Sequence, residues 1–317
     1  MEILGTKIAL GESKTISFNI ARLYTTTDIE IPVIVERAEK AGPTVLLTAG
    51  IHGDEINGVE IVRQLIAKKF NKPKKGTIIC IPILNVFGFL SKSRDFPDGR
   101  DLNRVFPGSK TGSLASRVAY HFVKEILPAS DYCIDFHTGG ASRYNAAQIR
   151  VSPSDYVAMK YARIFNPPFI VVSKILDKSF RQTCIKMNIP YLLFEGGKSL
   201  SSDKDIIVSG VLGTQRFLHQ LGMLQKKFEK NLHTPASESI IIESSAWIRA
   251  HKSGLLHLKT EINQWVDKGS VIATITDPYG EMRVKVKSPH CGYIINVNHS
   301  PTVHQGDAIV HISTSVS

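Results

Sequence analysis

Apolar and polar side chains alternate through SKTISFNIARL and again through IEIPVIVERAE, within residues 1–40. A period of two is that of a half-buried strand, so this stretch predicts antiparallel strands. PTVLLTAG (43–50) and GTIICIPILN (76–85) are short apolar runs without alternation, the form of strands buried on both faces. Between them GVEIVRQLIAKKF (58–70) carries apolar residues at helical spacing and basic residues in its last turn. The alternation of element types continues. Strands are predicted at DYCIDFH (131–137), PFIVVS (168–173) and PYLLFEGG (190–197), and helices at 113–127, 153–165, 178–188 and 204–224. Residues 86–112, rich in Gly, Pro, Asp and Arg, read as a loop. Repeated strand–helix alternation predicts an α/β sheet with helices on both faces.

The pattern changes after residue 224. QKKFEKNLHTPASE (225–238) is polar throughout and reads as a linker. From 239 to 317 short strand-like runs are separated by HKSG, VDKGS, DPYGE, PHCG and HQGD, which predicts a small all-β sandwich or barrel. The expected organisation is a first domain over 1–228 and a β-domain over 239–317.

Composition narrows the class. The 317 residues are 43% hydrophobic and 21% charged, enough chain and apolar surface for a full core. No apolar run approaches the roughly 18 residues of a membrane helix. MEILGTKIALGESK has neither the apolar core nor the cleavage site of a secretory signal, so the expected location is cytoplasmic. Cys80, Cys133, Cys184 and Cys291 are far apart and read as buried free thiols in a reducing compartment. Lys and Arg number 39 against 28 acids, a formal +11. That excess is either a lysine-decorated surface or a field that steers an anionic substrate. Nucleic acid is not an expected partner, because the longest basic stretch, residues 68–75, has no aromatic stacking platform around it.

Three predicted strand ends stop in residues able to do chemistry, and in open α/β sheets sites form beyond the carboxyl ends of strands. In Ala49-Gly50-Ile51-His52-Gly53-Asp54-Glu55, an imidazole and a carboxylate three residues apart on one tight turn can meet a single zinc. Alone, the same acids could simply complement a helix N-terminus. In Asp135-Phe136-His137-Thr138-Gly139-Gly140, His137 could supply the third ligand that an open catalytic zinc site needs. Glu195, at the end of Tyr191-Leu192-Leu193-Phe194-Glu195-Gly196-Gly197, would be explained if it takes a proton from an activated water; otherwise it is a surface acid at a turn. Between these segments a Gly/Pro loop holds Arg94, Arg100 and Arg104 with Asn103. Guanidinium groups there can grip a carboxylate bidentately.

GIHGDE, DLNRVFPG, DFHTGG and FEGG, in that order, resemble the succinylglutamate desuccinylase/aspartoacylase family of the zinc carboxypeptidase-like superfamily, over roughly residues 40–225. The tail from about 239 resembles the small β-domain of many members. The resemblance implies a mixed sheet flanked by helices, plus the small C-terminal all-β domain. It implies one zinc per chain held by His52, Glu55 and His137, with Glu195 as general base and then acid. It implies that Asn103 and Arg104 hold a substrate carboxylate and that Asp101 orients the first histidine. Arg94 would polarise the scissile carbonyl, with Arg100 as its rival, and Arg143, Arg150 and Tyr144 are further candidates for substrate contact. The implied activity is hydrolysis of the amide of a small acidic N-acyl amino acid or related amine, esters being open to the same chemistry.

Two other readings stand beside this one. The first is a metallocarboxypeptidase, which uses the same carboxylate clamp. The second is a non-catalytic binding protein working through its β-domain, whose strand pattern resembles lipoyl- or biotinyl-carrier folds. The DPYG turn, however, lacks the lysine that such carriers modify. A homo-oligomer is left open, and no membrane partner is expected.

Overall fold

The computed structural model describes residues 1–230, 232–235 and 237–317. After two short paired strands, β1 (Glu2–Ile3) and β2 (Thr6–Lys7), the chain forms the antiparallel ribbon that the alternation predicts, β3 (Ser13–Arg22) and β4 (Asp28–Arg37). Ile16, Phe18 and Ile20 on β3, with Ile31, Val33 and Val35 on β4, turn inward, and their polar neighbours face outward. β5 (Thr44–Ala49) is buried at every position, and so is β6 (Thr77–Ile81); α1 (Ile56–Ala67) joins them. This parallel pairing needs such a crossover, because a tight turn cannot connect parallel strands.

The next stretch departs from the sequence reading. The expected loop 86–112 opens with α2 (Val86–Ser91), capped by the Asn85 side chain, which accepts from the Gly88 amide at 2.8 Å. It also contains one 3-10 turn, Leu102–Arg104, where the Asp101 side chain accepts from the Asn103 amide at 2.8 Å. Then follow α3 (Leu114–Glu125) and β7 (Tyr132–Gly139).

β8 (Arg143–Val151) was not expected as a strand, because Asn145, Gln148 and Arg150 interrupt its apolar run. Asn145 and Arg150 face the functional side of the sheet, while Ala147, Ile149 and Val151 join the helical core. α4 (Tyr156–Phe165), β9 (Phe169–Val172), α5 (Phe180–Lys186), β10 (Tyr191–Lys198) and α6 (Lys204–Gln220) complete the alternation. The expected linker carries α7 (Lys226–Glu229). Its Phe228 packs edge-on against Phe70 at 4.6 Å, and Glu229 pairs with Lys74 at 2.5 Å. The linker region also includes positions 231 and 236, which lie outside the described residues.

From residue 240 the elements are strands: β11 (Ile240–Arg249), β12 (Gly254–Leu258), β13 (Trp265–Val266), β14 (Val271–Thr276), β15 (Arg283–Lys287), β16 (Gly292–Asn298), β17 (Thr302–Val303) and β18 (Ala308–Val316). A four-stranded sheet, β15-β14-β12-β17, encloses a separate core with β11, β16 and β18, built on Ile272, Ile275, Val286, Ile294 and Ile312. Lys285 and Lys287 lie within β15 and not on a hairpin tip.

The central sheet is mixed and has twelve strands, in the order β13-β16-β18-β11-β9-β8-β10-β7-β5-β6-β4-β3. Its middle, β10-β7-β5-β6, is parallel. One core lies on the face covered by α3 and α5, the other beneath α1, α4 and α6. The two ends of the chain share strands. β11 runs parallel to β9 over Ile240–Ile242, and β16 pairs with β8 through Asn296–Asn298. Since β8 also pairs with β9, and β11 with β18, which pairs with β16, the strands β8, β9, β11, β18 and β16 close into a ring. A small apolar cluster of Ala146, Phe169, Val171, Ile242 and Ile295, contributed by both parts of the chain, lies along these strands.

Cys80, Cys133 and Cys184 are buried free thiols, as expected. Cys291 is exposed, because it sits in the turn before β16 and not in a strand. Among the described residues no helix is long and apolar enough to cross a membrane.

The shared cluster predicts a stability cost at the junction. Ile295→Ala should destabilise the protein by about 2–5 kcal/mol, read from the urea midpoint. A loss below about 0.5 kcal/mol would show that the cluster is not close-packed.

Candidate active site

His52, Glu55 and His137 come together at the carboxyl ends of β5 and β7, strands paired in parallel with Ala49 beside Phe136. His52 stands in the turn from β5 into α1. Gly50 gives that turn a φ of +61°, and a Cβ at Gly53 would lie 1.8 Å from the Gly88 carbonyl carbon. Only glycine at 53 lets the turn lie this close to α2.

The Glu55 carboxylate lies between the two imidazoles. Its Oε1 is 2.8 Å from His52 Nδ1, its Oε2 is 2.9 Å from His137 Nδ1, and Oε2 also accepts from the Thr138 amide at 3.2 Å. One ligating atom from each of the three residues falls within 4.8 Å of the others. All three side chains are buried.

Each imidazole is held from behind by an aspartate at its other nitrogen. His52 Nε2 is 3.0 Å from Asp101 Oδ1, and His137 Nε2 is 2.7 Å from Asp135 Oδ2. Both rings therefore turn Nδ1 towards Glu55, the orientation that carboxylates behind metal-binding histidines enforce. Asp135 is itself fixed by the Tyr191 hydroxyl, which donates at 2.6 Å, and by Thr48 Oγ1 at 2.7 Å.

The electrostatics suit a cation. Burial works against charge on Glu55, yet the imidazoles of His52 and His137 hold its pKa far below the usual carboxylate range. Burial also opposes charge on His52, but Glu55 and then Asp101 outweigh it and raise its pKa. For His137, burial is outweighed by Asp135 and then Glu55, and its pKa stands well above the ordinary imidazole value. Both imidazoles turn Nδ1 towards the one carboxylate, an arrangement in which a divalent ion could take the place of protons. The donor set of two imidazole nitrogens and a carboxylate fits such an ion.

Glu195 lies on β10 directly beside His137 in the parallel register. Its Oε2 accepts from Asn145 Nδ2 at 2.9 Å and lies 3.1 Å from Arg150 Nε. Asn145 and Arg150, an odd number of residues apart on one strand, should face opposite sides. The β8–β10 register slips between Glu195 and Gly197, however, so that three residues of β8 span two of β10. This bulge brings both side chains to one carboxylate.

Arg94 is drawn into the site by Asp101, which accepts from Arg94 Nη2 at 2.8 Å, and Arg94 Nη1 lies 3.5 Å from Glu55. Asn85 anchors the loop that carries it by donating to the carbonyls of Arg94 and Asp95. Arg100 instead pairs loosely with Asp98 at 3.8 Å and does not line the site, which separates the two rival arginines. Asn103 accepts from the Phe180 amide at 2.8 Å, and Arg104 donates to the Asn103 carbonyl at 2.7 Å; both line the site cavity.

That cavity measures about 220 Å³. Trp247 of β11 and Asn296 of β16 line its far wall, with Arg143 5.9 Å above the Trp247 ring. Tyr144 packs against His299 and does not reach the cavity. A hollow of about 140 Å³ adjoins it, sharing Arg104, Arg150 and Glu195 and adding Lys174 and Arg181. Asp135, Asn145, Arg181, Trp247 and Asn296 are the site residues that sequence reasoning did not single out. Asp135 alone carried a readable signal, since a residue two before His137 on a strand lies on the same face.

The catalytic-domain model of succinylglutamate desuccinylase/aspartoacylase matches residues 41–221, more than half of the chain. The chain belongs to this family. The N-alpha-acetyl-L-2,4-diaminobutyric acid deacetylase of Halomonas elongata is 28% identical over 302 residues, covering 91% of this chain and 86% of that protein. The product-bound ectoine utilization protein EutE (DoeB) from Ruegeria pomeroyi superposes with a TM-score of 0.83 at 22% identity, covering 96% of this chain and 95% of that one. A succinylglutamate desuccinylase from Silicibacter sp. TM1040 gives a TM-score of 0.82 at 22% identity with the same coverage. These likenesses show a shared fold over 96% of the chain.

The buried acid behind His137 yields a graded prediction. Asp135→Ala strands the Thr48 and Tyr191 hydroxyls and His137 Nε2 and should cost about 3–5 kcal/mol. Tyr191→Phe leaves the carboxylate its other partners and should cost about 1.5–3 kcal/mol. Denaturant unfolding checks this, and a Tyr191→Phe loss equal to that of Asp135→Ala would contradict the arrangement.

Proposed function

We propose that this family member is a zinc-dependent hydrolase that removes the acyl group from a small, acidic N-acyl amino acid or a related N-acyl amine. The observation that carries the reading is the convergence of His52 Nδ1, Glu55 and His137 Nδ1 within 4.8 Å, with Glu195 on the neighbouring strand facing the same cavity. These residues would hold one zinc per chain and leave a coordination position open, as in catalytic zinc sites. When bound, zinc would supply Lewis acidity, making water a stronger acid near neutral pH and an amide carbonyl more electrophilic.

The chain's own residues do the rest. Glu195 has Oε2 tied to Asn145, which leaves Oε1 to take a proton from the attacking water. The same carboxyl then delivers that proton to the leaving amine, which an amide needs in order to break. Arg94, fixed by Asp101, offers donors to the oxygen that gains negative charge, a contribution of about 3–4 kcal/mol in comparable sites. Arg104 and Asn103 stand at the cavity mouth as a clamp for a substrate carboxylate.

The lining supports an acidic substrate. Arg143, Arg150, Lys174 and Arg181 add positive charge around the cavity and its annex, while Glu55 and Glu195 are the acids there. The Halomonas relative is named for a substrate with a side-chain amine. In this chain guanidinium groups line the cavity and its annex, which favours a carboxylate on the substrate. A cavity of about 220 Å³ walled by Trp247 suits a small acyl amino acid better than a peptide chain.

Elemental analysis should find about one zinc per chain, and a panel of N-acetyl and N-succinyl amino acids, N-acetyl-diaminobutyrate, short peptides and esters should show turnover that a chelator abolishes. His52→Ala or His137→Ala should lose metal and activity together. Glu195→Gln should retain metal and lose about 100-fold or more in turnover. Arg104→Ala should chiefly raise KM. A metal-free preparation that stays active in chelator would sink the assignment, as would undiminished turnover by Glu195→Gln.

A further inference from the structure

We propose that the C-terminal strands are a working part of the catalytic machinery: Asn296 of β16, acting through Asn145 of β8, holds the Glu195 carboxylate in its working orientation. This rests on Glu195 being the base. Asn145 and Asn296 are positioning residues within it.

An ionised carboxylate only accepts hydrogen bonds, so Asn145 must present its NH2 group to Glu195, as it does at 2.9 Å. Its amide oxygen then points away and needs a donor. Asn296 supplies one, Nδ2 to Asn145 Oδ1 at 2.6 Å, from the residue directly opposite in the β16–β8 pairing. The orientation of each amide is thus dictated by the acid two links away.

Two further observations show that this chain of bonds serves more than folding. Asn296 is 2% exposed, yet its Oδ1 has no partner among the described residues. A buried amide with an unmet acceptor is destabilising, so stability alone would favour an apolar side chain there. The cation at Glu195, Arg150, brings Nε to 3.1 Å of Oε2 but lies outside hydrogen-bonding alignment. Arg150 supplies charge without direction. Among the described residues Asn145 donates the one aligned hydrogen bond to this carboxylate.

Glu195 stands where β10 slips register, next to Gly196 and Gly197, so its local backbone gives little restraint. With Asn296 removed, the Asn145 amide is free to flip and turn its oxygen on the carboxylate. The Oε1 that receives the proton then loses its aim. The frame behind Asn296 is stiff, because β16 is paired on its other edge with β18.

The test compares Asn296→Ala with Asn296→Leu, which restores the volume of the side chain without its donor. Both are assayed on the best substrate of the N-acyl amino-acid panel, with zinc content and thermal unfolding measured alongside. Both should lower kcat about 10- to 100-fold, with KM within about twofold and zinc retained. In a Glu195→Gln background, Asn296→Ala should add no further loss. Wild-type kcat in Asn296→Leu, a loss that adds to that of Glu195→Gln, or failure of both variants to fold would each overturn the positioning role. A Glu195→Gln enzyme with undiminished turnover would instead refute the assignment of the base, which keeps the two failures distinct.

Discussion

A carboxylate that is 1% exposed must be paired, and Glu55 is paired on both oxygens with imidazoles from different strand ends. That single group dictates much of its surroundings. His52 has to reach it from a turn three residues earlier, which Gly50 and Gly53 allow. His137 has to reach it from β7, which fixes how β7 lies against β5. A slip of one residue between these strands would turn His137 to the opposite face and leave a buried charge without its partner.

The same demand spreads outward. Each imidazole nitrogen that does not face Glu55 is a second buried polar atom, and each is met by an aspartate. Asp135 is buried as deeply as the residues it serves, so it draws in Tyr191 and Thr48. Asp101 lies nearer the surface and takes Arg94, which brings a loop arginine to the cavity. Acids thus alternate with cationic or donor groups from the core to the cavity mouth. Removing any member leaves its neighbours uncompensated in a medium where that is expensive.

The sequence displays the parts of this site that lie within short segments. His52 and Glu55 are three residues apart, His137 closes an apolar strand, Glu195 closes another, and Asp101, Asn103 and Arg104 are neighbours. The buried strands at the sheet's centre were legible for the same reason, since β5 and β6 are short apolar runs. What stayed hidden depends on contacts between distant segments. β8 looks too polar for a strand until it is known to face a cavity, and its bulge breaks the alternation that would assign its faces. Asn145 meets Asn296 across 151 residues, and nothing local to either marks the pairing. Arg181 and Trp247 likewise resemble ordinary helix and strand residues until the fold places them beside the cavity.

The strand ring bears on how a substrate can enter. In a two-part enzyme with its site at the seam, the simplest gate is a hinge between the parts. Here such a hinge would have to break the pairing of β16 with β8 and of β11 with β9, and expose the Ile242, Ile295 and Phe169 cluster to water. Those losses far exceed what binding a small acid could recover. Access is therefore left to the walls that no strand secures: the loop around Arg94, Arg100 and Arg104, and the segment through Lys174 and Leu176, where Leu176 is 55% exposed at the cavity edge. Arg94 and Arg104, which line the cavity, stand on the first of these walls. In this arrangement the loop wall is held by side-chain hydrogen bonds, Asn85 to the Arg94 and Asp95 carbonyls and Asn103 to the Phe180 amide, while His137 and Glu195 are held by the sheet itself.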